Sequence, residues 1–166
     1  MQLRKTLLTA TLLSSGLFVA LHNASALVTD ASVLINPSPN SFVKEGDLIF
    51  GDVTPATTQP CNITMSPLGD LSVSLGSCLL GSSPLAGSAS FTVTGLPDST
   101  YSVVIPPDAT LIGPGDPMLV SGFTHNSTGL LTAGTETFNL GGTLEIGASQ
   151  QEGSYIGSFD VEVVFN

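Results

Sequence analysis

The 166-residue chain contains no tryptophan, two tyrosines, two cysteines, two histidines and only three lysines and arginines against thirteen acidic residues. Each scarcity excludes something. So few cations cannot neutralise a phosphate backbone, so nucleic acid and anionic lipid are poor partners. Two cysteines without neighbouring histidines leave a tetrahedral zinc site short of ligands, and the spacing of Cys61 and Cys78 is far from C-x-x-C redox chemistry. Few aromatic residues outside the apolar runs leave little from which to build the stacking platforms that sugars commonly require. Lysine, glutamate and arginine are too rare, and helical periodicity too short-lived, for a confident helix after residue 26.

What is present begins with an export signal. Arg4 and Lys5 precede the apolar stretch Leu7 to Leu21, and Ala24-Ser25-Ala26 is a small-residue cleavage pattern. Residues 1–26 are expected to be removed, because the polar residues within the run leave it short of the roughly 20 apolar residues of a membrane span. No later run of that kind exists, so the mature chain is expected to lack a transmembrane segment. Lys44 is then its sole lysine or arginine. Export also places Cys61 and Cys78 where thiols oxidise, and a structural disulfide between them is expected.

Glycine, proline, serine, threonine and asparagine punctuate residues 27–166 every several positions, between short runs rich in valine, isoleucine, leucine, phenylalanine and threonine. This texture predicts an all-β domain over 37–166, with strands near 47–53, 60–65, 70–75, 87–94, 100–105, 117–124, 135–147 and 154–165. The strand over 135–147 is expected to bend or split at Gly141-Gly142, and the runs 87–94 and 100–105, joined across Pro97-Asp98-Ser99, predict a hairpin. Strands at this spacing favour a two-sheet, immunoglobulin-like β-sandwich. Upstream, Leu27, Thr29, Ala31, Val33 and Ile35 share one face of an alternating segment, 27–36, tied to the body by the short linker "NPSPNSF". Two readings of 27–36 stay open: the first strand of the chain's own sheet, or a donor strand given to another subunit. At the far end Tyr155, Phe159, Val161, Val163 and Phe165 share the apolar face of a closing strand.

Catalytic chemistry finds no foothold. His125 in "GFTHNSTG" lacks an evident nucleophile and reads as an exposed loop residue. Asp98, Asp108 and Asp116 fall in expected loops, but none follows a calcium-loop spacing. "GPG" and "GGT" lack the helix and lysine of a phosphate cradle. The sequons at Asn62 and Asn126 are chance matches in a chain this rich in serine and threonine. The expected site inventory is therefore no catalytic residue, no metal and no cofactor.

"DLIFGDV" at 47–53, "ASFTVTGLPDSTYSVVIP" at 89–106, "MLVSGFTHN" at 118–126 and above all "FNLGGTLEIGASQQEGSYIGSFDVEVVFN" at 138–166 resemble the domain of unknown function 4402 family of exported bacterial domains. That family implies no activity. More loosely, the ending with Gly153, an alternating strand and penultimate Phe165 is similar to chaperone–usher pilus subunits and spore-coat-U-like proteins, where an incomplete immunoglobulin-like sandwich receives a strand from a chaperone or a neighbouring subunit. Phe165 stands where those families usually have tyrosine, and the cysteines lie mid-chain rather than early. The resemblance implies self-association or a pilus-type chaperone partner through strand addition. Leu27, Ala31, Val33 and Ile35 would be donor residues, and Tyr155, Phe159, Val161, Val163 and Phe165 acceptor residues. The expected function is non-enzymatic: a structural or adhesive protein of the periplasm or cell surface, with a monomeric module binding a glycan or small molecule as the alternative.

Overall fold

A computed structural model describes residues 40–166. The expected export segment 1–26 and the alternating segment 27–36, with Leu27, Ala31, Val33 and Ile35, lie outside the described residues. The described chain is all-β. Its strands are β1 (Ser41–Gly46), β2 (Val53–Thr54), β3 (Cys61–Met65), β4 (Leu71–Leu75), β5 (Leu79–Leu80), β6 (Ala89–Thr94), β7 (Tyr101–Val104), β8 (Asp108–Leu111), β9 (Met118–His125), β10 (Thr135–Ile146) and β11 (Glu162–Phe165). A single 3-10 turn at Thr132–Gly134 interrupts them. Among the described residues no helix is long and apolar enough to cross a membrane.

Seven strands form one antiparallel sheet in the order β1-β6-β10-β3-β4, with β9 on β10 and β8 on β9. The organiser is β10. Its first half, Thr135 to Leu140, pairs with β6, and its second half, Gly142 to Ile146, pairs with β3. The expected split at Gly141-Gly142 does not occur, but the strand is irregular there and one of its edges changes partner from β6 to β3. The strand runs through, its ladder with β9 slipping between Gly141 and Thr143. Glycine is needed here for a different reason, close approach: a Cβ on Gly141 would collide with the Met65 carbonyl oxygen.

Alternation sets the core. On β3, Cys61, Ile63 and Met65 are buried, while Asn62 and Thr64 turn outward; on β6, Ala89, Phe91 and Val93 are buried between the outward Ser90, Thr92 and Thr94. The outward threonines bond across strands, Thr92 to Thr137 at 3.1 Å and Thr64 to Thr143 at 2.9 Å. β7 and β11 form a separate antiparallel pair. Their apolar residues Tyr101, Val103, Val163 and Phe165 pack with Phe91, Phe138 and Leu140 of the large sheet. β2 and β5 make a third, two-residue ladder. Cys61 and Cys78 are disulfide-bonded, both buried, in the same core cluster as Phe50, Ile63 and Met65.

Five sequence expectations need correction. The hairpin of 87–94 with 100–105 does not form: β6 has both edges occupied, by β1 and β10, so β7 leaves the large sheet and pairs with β11. The first described strand is 41–46, part of which was expected as linker. Within the expected strand 47–53, only the bridge of Ile49 to Gly87 and the start of β2 are paired. Asp108 opens β8 rather than lying in a loop. Finally, only Glu162–Phe165 of the expected strand 154–165 lies in a ladder, apart from a bridge between Ile156 and Ile112.

Candidate functional site: the closing segment beside an apolar groove

The closing segment is half built into the fold. Ile156 exchanges two backbone hydrogen bonds with Ile112, at 2.9 and 3.0 Å, and β11 begins at Glu162. Between them Gly157 to Val161 have no backbone partner among the described residues. Side chains nevertheless keep the period of two: Tyr155, Phe159, Val161, Val163 and Phe165 are half-buried, and Ser158, Asp160, Glu162, Val164 and Asn166 are exposed. The structure thus places the five expected acceptor residues on one face. It buries none of them fully, in contrast to the inward residues of β3 and β6. Phe159 touches Phe123, with ring centroids 4.6 Å apart, and Phe165 leans on Tyr101 at 6.5 Å.

Among the described residues they border a groove of about 750 Å3. One wall carries Phe42 and Leu48, the other Phe159 and Val161, and Phe91 and Val120 lie between. Asn40 and Phe165 both approach Gly95, whereas Phe50 and Tyr155 line the groove together. The walls therefore run in opposite directions. A second hollow of about 620 Å3 continues past Phe50, Leu111 and Tyr155 toward Gln150 and Glu152. Tyr155 is held between the two: its hydroxyl accepts from the Gly115 N–H and the Gln150 amide and donates to the Gln151 carbonyl, each at 2.9 Å. Lys44 sits at the rim, paired with Asp47 at 2.6 Å, both exposed, and Asp160 lines the opposite wall. Exposed pairs of this kind add little stability.

The sequence did not reveal the Phe42 and Leu48 wall. Phe42 follows two prolines closely, its neighbour Val43 falls on the opposite face, and its strand carries Lys44 and Glu45, as exposed edges commonly do. A signal was available in the spacing of Phe42 from Leu48 and Phe50, which bring three apolar side chains to one groove.

A polar clasp lies away from the groove. The Tyr101 hydroxyl donates to Glu136 Oε2 at 2.7 Å, and the Thr128 N–H donates to Glu136 Oε1 at 2.6 Å. Burial pushes the Glu136 carboxyl up, but the Thr128 N–H and the Tyr101 hydroxyl together outweigh it and the net shift is downward. Tyr101 is pushed well above the ordinary phenol value, first by burial and then by the Glu136 carboxylate. A depressed carboxyl stabilises the fold above its unfolded pKa and loses that contribution as pH falls toward the folded value. Glu136→Gln is therefore expected to cost about 1 kcal/mol at neutral pH. It should also flatten the acid side of a plot of melting temperature against pH. Parallel acid limbs for the two proteins would refute the clasp.

The remaining candidates do not converge. His125 ends β9, exposed, with Ser127 Oγ 2.9 Å from its Nδ1. Asp98, Asp108 and Asp116 are not brought together, and no group of three potential metal-ligating side chains forms among the described residues.

Among the described residues these features define an all-β domain with one disulfide and an apolar groove between β1 and the closing segment. Residues 41–165 match the family described as Domain of unknown function (DUF4402), and the chain belongs to that family. No curated protein and no solved structure shows a significant match.

Proposed function

We propose that this chain is a non-enzymatic structural or adhesive protein, exported to the periplasm or cell surface, whose two-sheet, immunoglobulin-like body is completed by an added β-strand. The observation that carries this reading is the run Gly157 to Val161. It has no backbone partner among the described residues, and its apolar side chains Phe159 and Val161 line an open apolar groove. Backbone groups in such a position invite a pairing strand, which gains affinity from main-chain hydrogen bonds and specificity from alternate side chains seated in pockets. Leu27, Ala31, Val33 and Ile35 have the alternation a donor requires. Supplied by another copy or by a pilus-type chaperone, such a strand would make the protein an assembling subunit.

The test is a titration. A body of residues 37–166 is expected to gain several degrees in melting temperature on addition of a synthetic peptide of residues 27–36, and a peptide with aspartate at positions 33 and 35 should give no gain. Equal melting curves with both peptides would contradict strand acceptance.

A further inference from the structure

We propose that the peptide bond between Asp116 and Pro117 is a self-scission site, at which the Asp116 carboxylate attacks its own carbonyl carbon while the Gln150 side-chain amide stabilises the carbonyl oxygen.

Asp116-Pro117 is the sole Asp-Pro pair in the sequence and directly follows Gly113-Pro114-Gly115, in the loop between β8 and β9. The two glycines let that loop lie flush against Tyr155. A Cβ on Gly113 would stand 2.5 Å from the Tyr155 ring, and one on Gly115 would stand 2.6 Å from its hydroxyl, so neither position admits a side chain as packed. The Gly115 N–H donates to the Tyr155 hydroxyl at 2.9 Å. Gln150 Nε2 donates both to that hydroxyl, at 2.9 Å, and to the Asp116 carbonyl oxygen, at 2.6 Å. One hydroxyl therefore fixes the backbone immediately before Asp116 together with the amide that meets the Asp116 carbonyl. Both hydrogens of the Gln150 amide are committed, which holds the donor on that carbonyl in place.

Two features meet in an Asp-Pro bond. An aspartate carboxylate closes a five-membered ring when it attacks its own carbonyl carbon, an intramolecular reaction favoured by proximity, and proline supplies a tertiary amide whose nitrogen departs as a secondary amine. In the first step a bond forms between an Asp116 carboxylate oxygen and the Asp116 carbonyl carbon. The carbonyl oxygen takes up negative charge, which the Gln150 N–H is placed to stabilise. The tetrahedral centre then collapses: the C–N bond to Pro117 breaks, its electron pair stays on the proline nitrogen, and that nitrogen takes a proton from water. Hydrolysis of the cyclic anhydride restores the side-chain carboxyl and leaves Asp116 with a free α-carboxyl. A single water is consumed, and nothing is oxidised or reduced.

The fold would hold the cut pieces together. One keeps β1 to β8 and the bond between Cys61 and Cys78, the other β9 to β11. They share the ladders of β9 with β8, of β10 with β3 and β6, and of β11 with β7. Scission is thus a single event per chain, which frees a carboxylate and a prolyl amine between two paired strands and is not masked by the disulfide.

Intact-mass spectrometry under denaturing conditions tests this on the full chain, purified after export and held in neutral buffer with protease inhibitors. Two pieces meeting between Asp116 and Pro117, with masses summing to that of the chain plus one water, should accumulate at least about tenfold faster from the folded chain than from the same chain unfolded in guanidinium chloride. Asp116→Ala should abolish them in either state. Gln150→Ala should slow their appearance from the folded chain by at least about tenfold and leave the unfolded rate unchanged. Should Gln150→Ala fail to fold, the comparison of folded with unfolded unaltered chain decides. A folded chain that stays whole, or that is cut no faster than the unfolded one, would overturn the proposal, as would a folded Gln150→Ala protein cut as fast as the original.

Discussion

Replacing both Cys61 and Cys78 by alanine is expected to lower stability by roughly 3 kcal/mol, on the chain-entropy account of closing a loop of this length. The two residues are 17 apart in sequence, and their bond ties the start of β3 to the segment entering β5. Cys61 is wholly buried, so the substitution also removes sulfur from a packed core. The surrounding chain has little else to hold it: β2 and β5 share a ladder of two residue pairs, and Leu79, Leu80 and Leu85 are exposed. A domain of this size should lose on the order of 10 °C in melting temperature. Scanning calorimetry of the oxidised protein beside the double variant measures the difference, and coincident midpoints would show that the bond contributes nothing.

Phe138→Ala should cost about 3 to 5 kcal/mol, in the upper range for a buried aromatic. Phe138 is 1% exposed and lies in the first half of β10, directly opposite Phe91 of β6. Its ring is 5.4 Å from that of Phe91, 6.4 Å from Phe42 and 6.4 Å from Tyr101, so one side chain joins the edge strand β1, the inner strand β6 and the separate β7–β11 pair. Truncation would leave a cavity bounded by three rings on three elements, which cannot all move inward together. Phe138→Leu, which fills much of that space, should cost less than half as much. Chemical denaturation of the three proteins distinguishes this from a loosely packed cluster, for which alanine and leucine would be nearly equivalent.

The sequence revealed strands and faces more readily than partners. β3, β6, β9 and β10 were legible because each buries one face and each is bounded by turn residues, so the period of two survives intact in Cys61-Ile63-Met65 and Ala89-Phe91-Val93. β1 was hidden because an edge strand buries little and carries charge, here Lys44 and Glu45. β8 was hidden because "DATL" is four residues long and follows two prolines, and Asp108 and Thr110 face outward. Periodicity says which way a side chain points, and it is silent on which strand lies alongside. That is why β6 and β7 looked like a hairpin although they belong to different sheets. The face of Tyr155, Phe159, Val161, Val163 and Phe165 was legible for the same reason that the opposing wall of Phe42 and Leu48 was not: those five alternate over a long run, whereas the next residue on the face of Phe42 is Lys44.

On the proposed function, the backbone between Ile156 and Glu162 receives an added strand. A crystal structure of the exported chain tests it most directly. The account predicts an extended segment lying between β1 and residues 157–161, main-chain hydrogen bonds joining it to that run, and alternate apolar side chains seated against Phe42, Phe91 and Phe159. A complete exported chain in which the 157–161 backbone bonds only to water, in the isolated molecule and in every assembly, would contradict it.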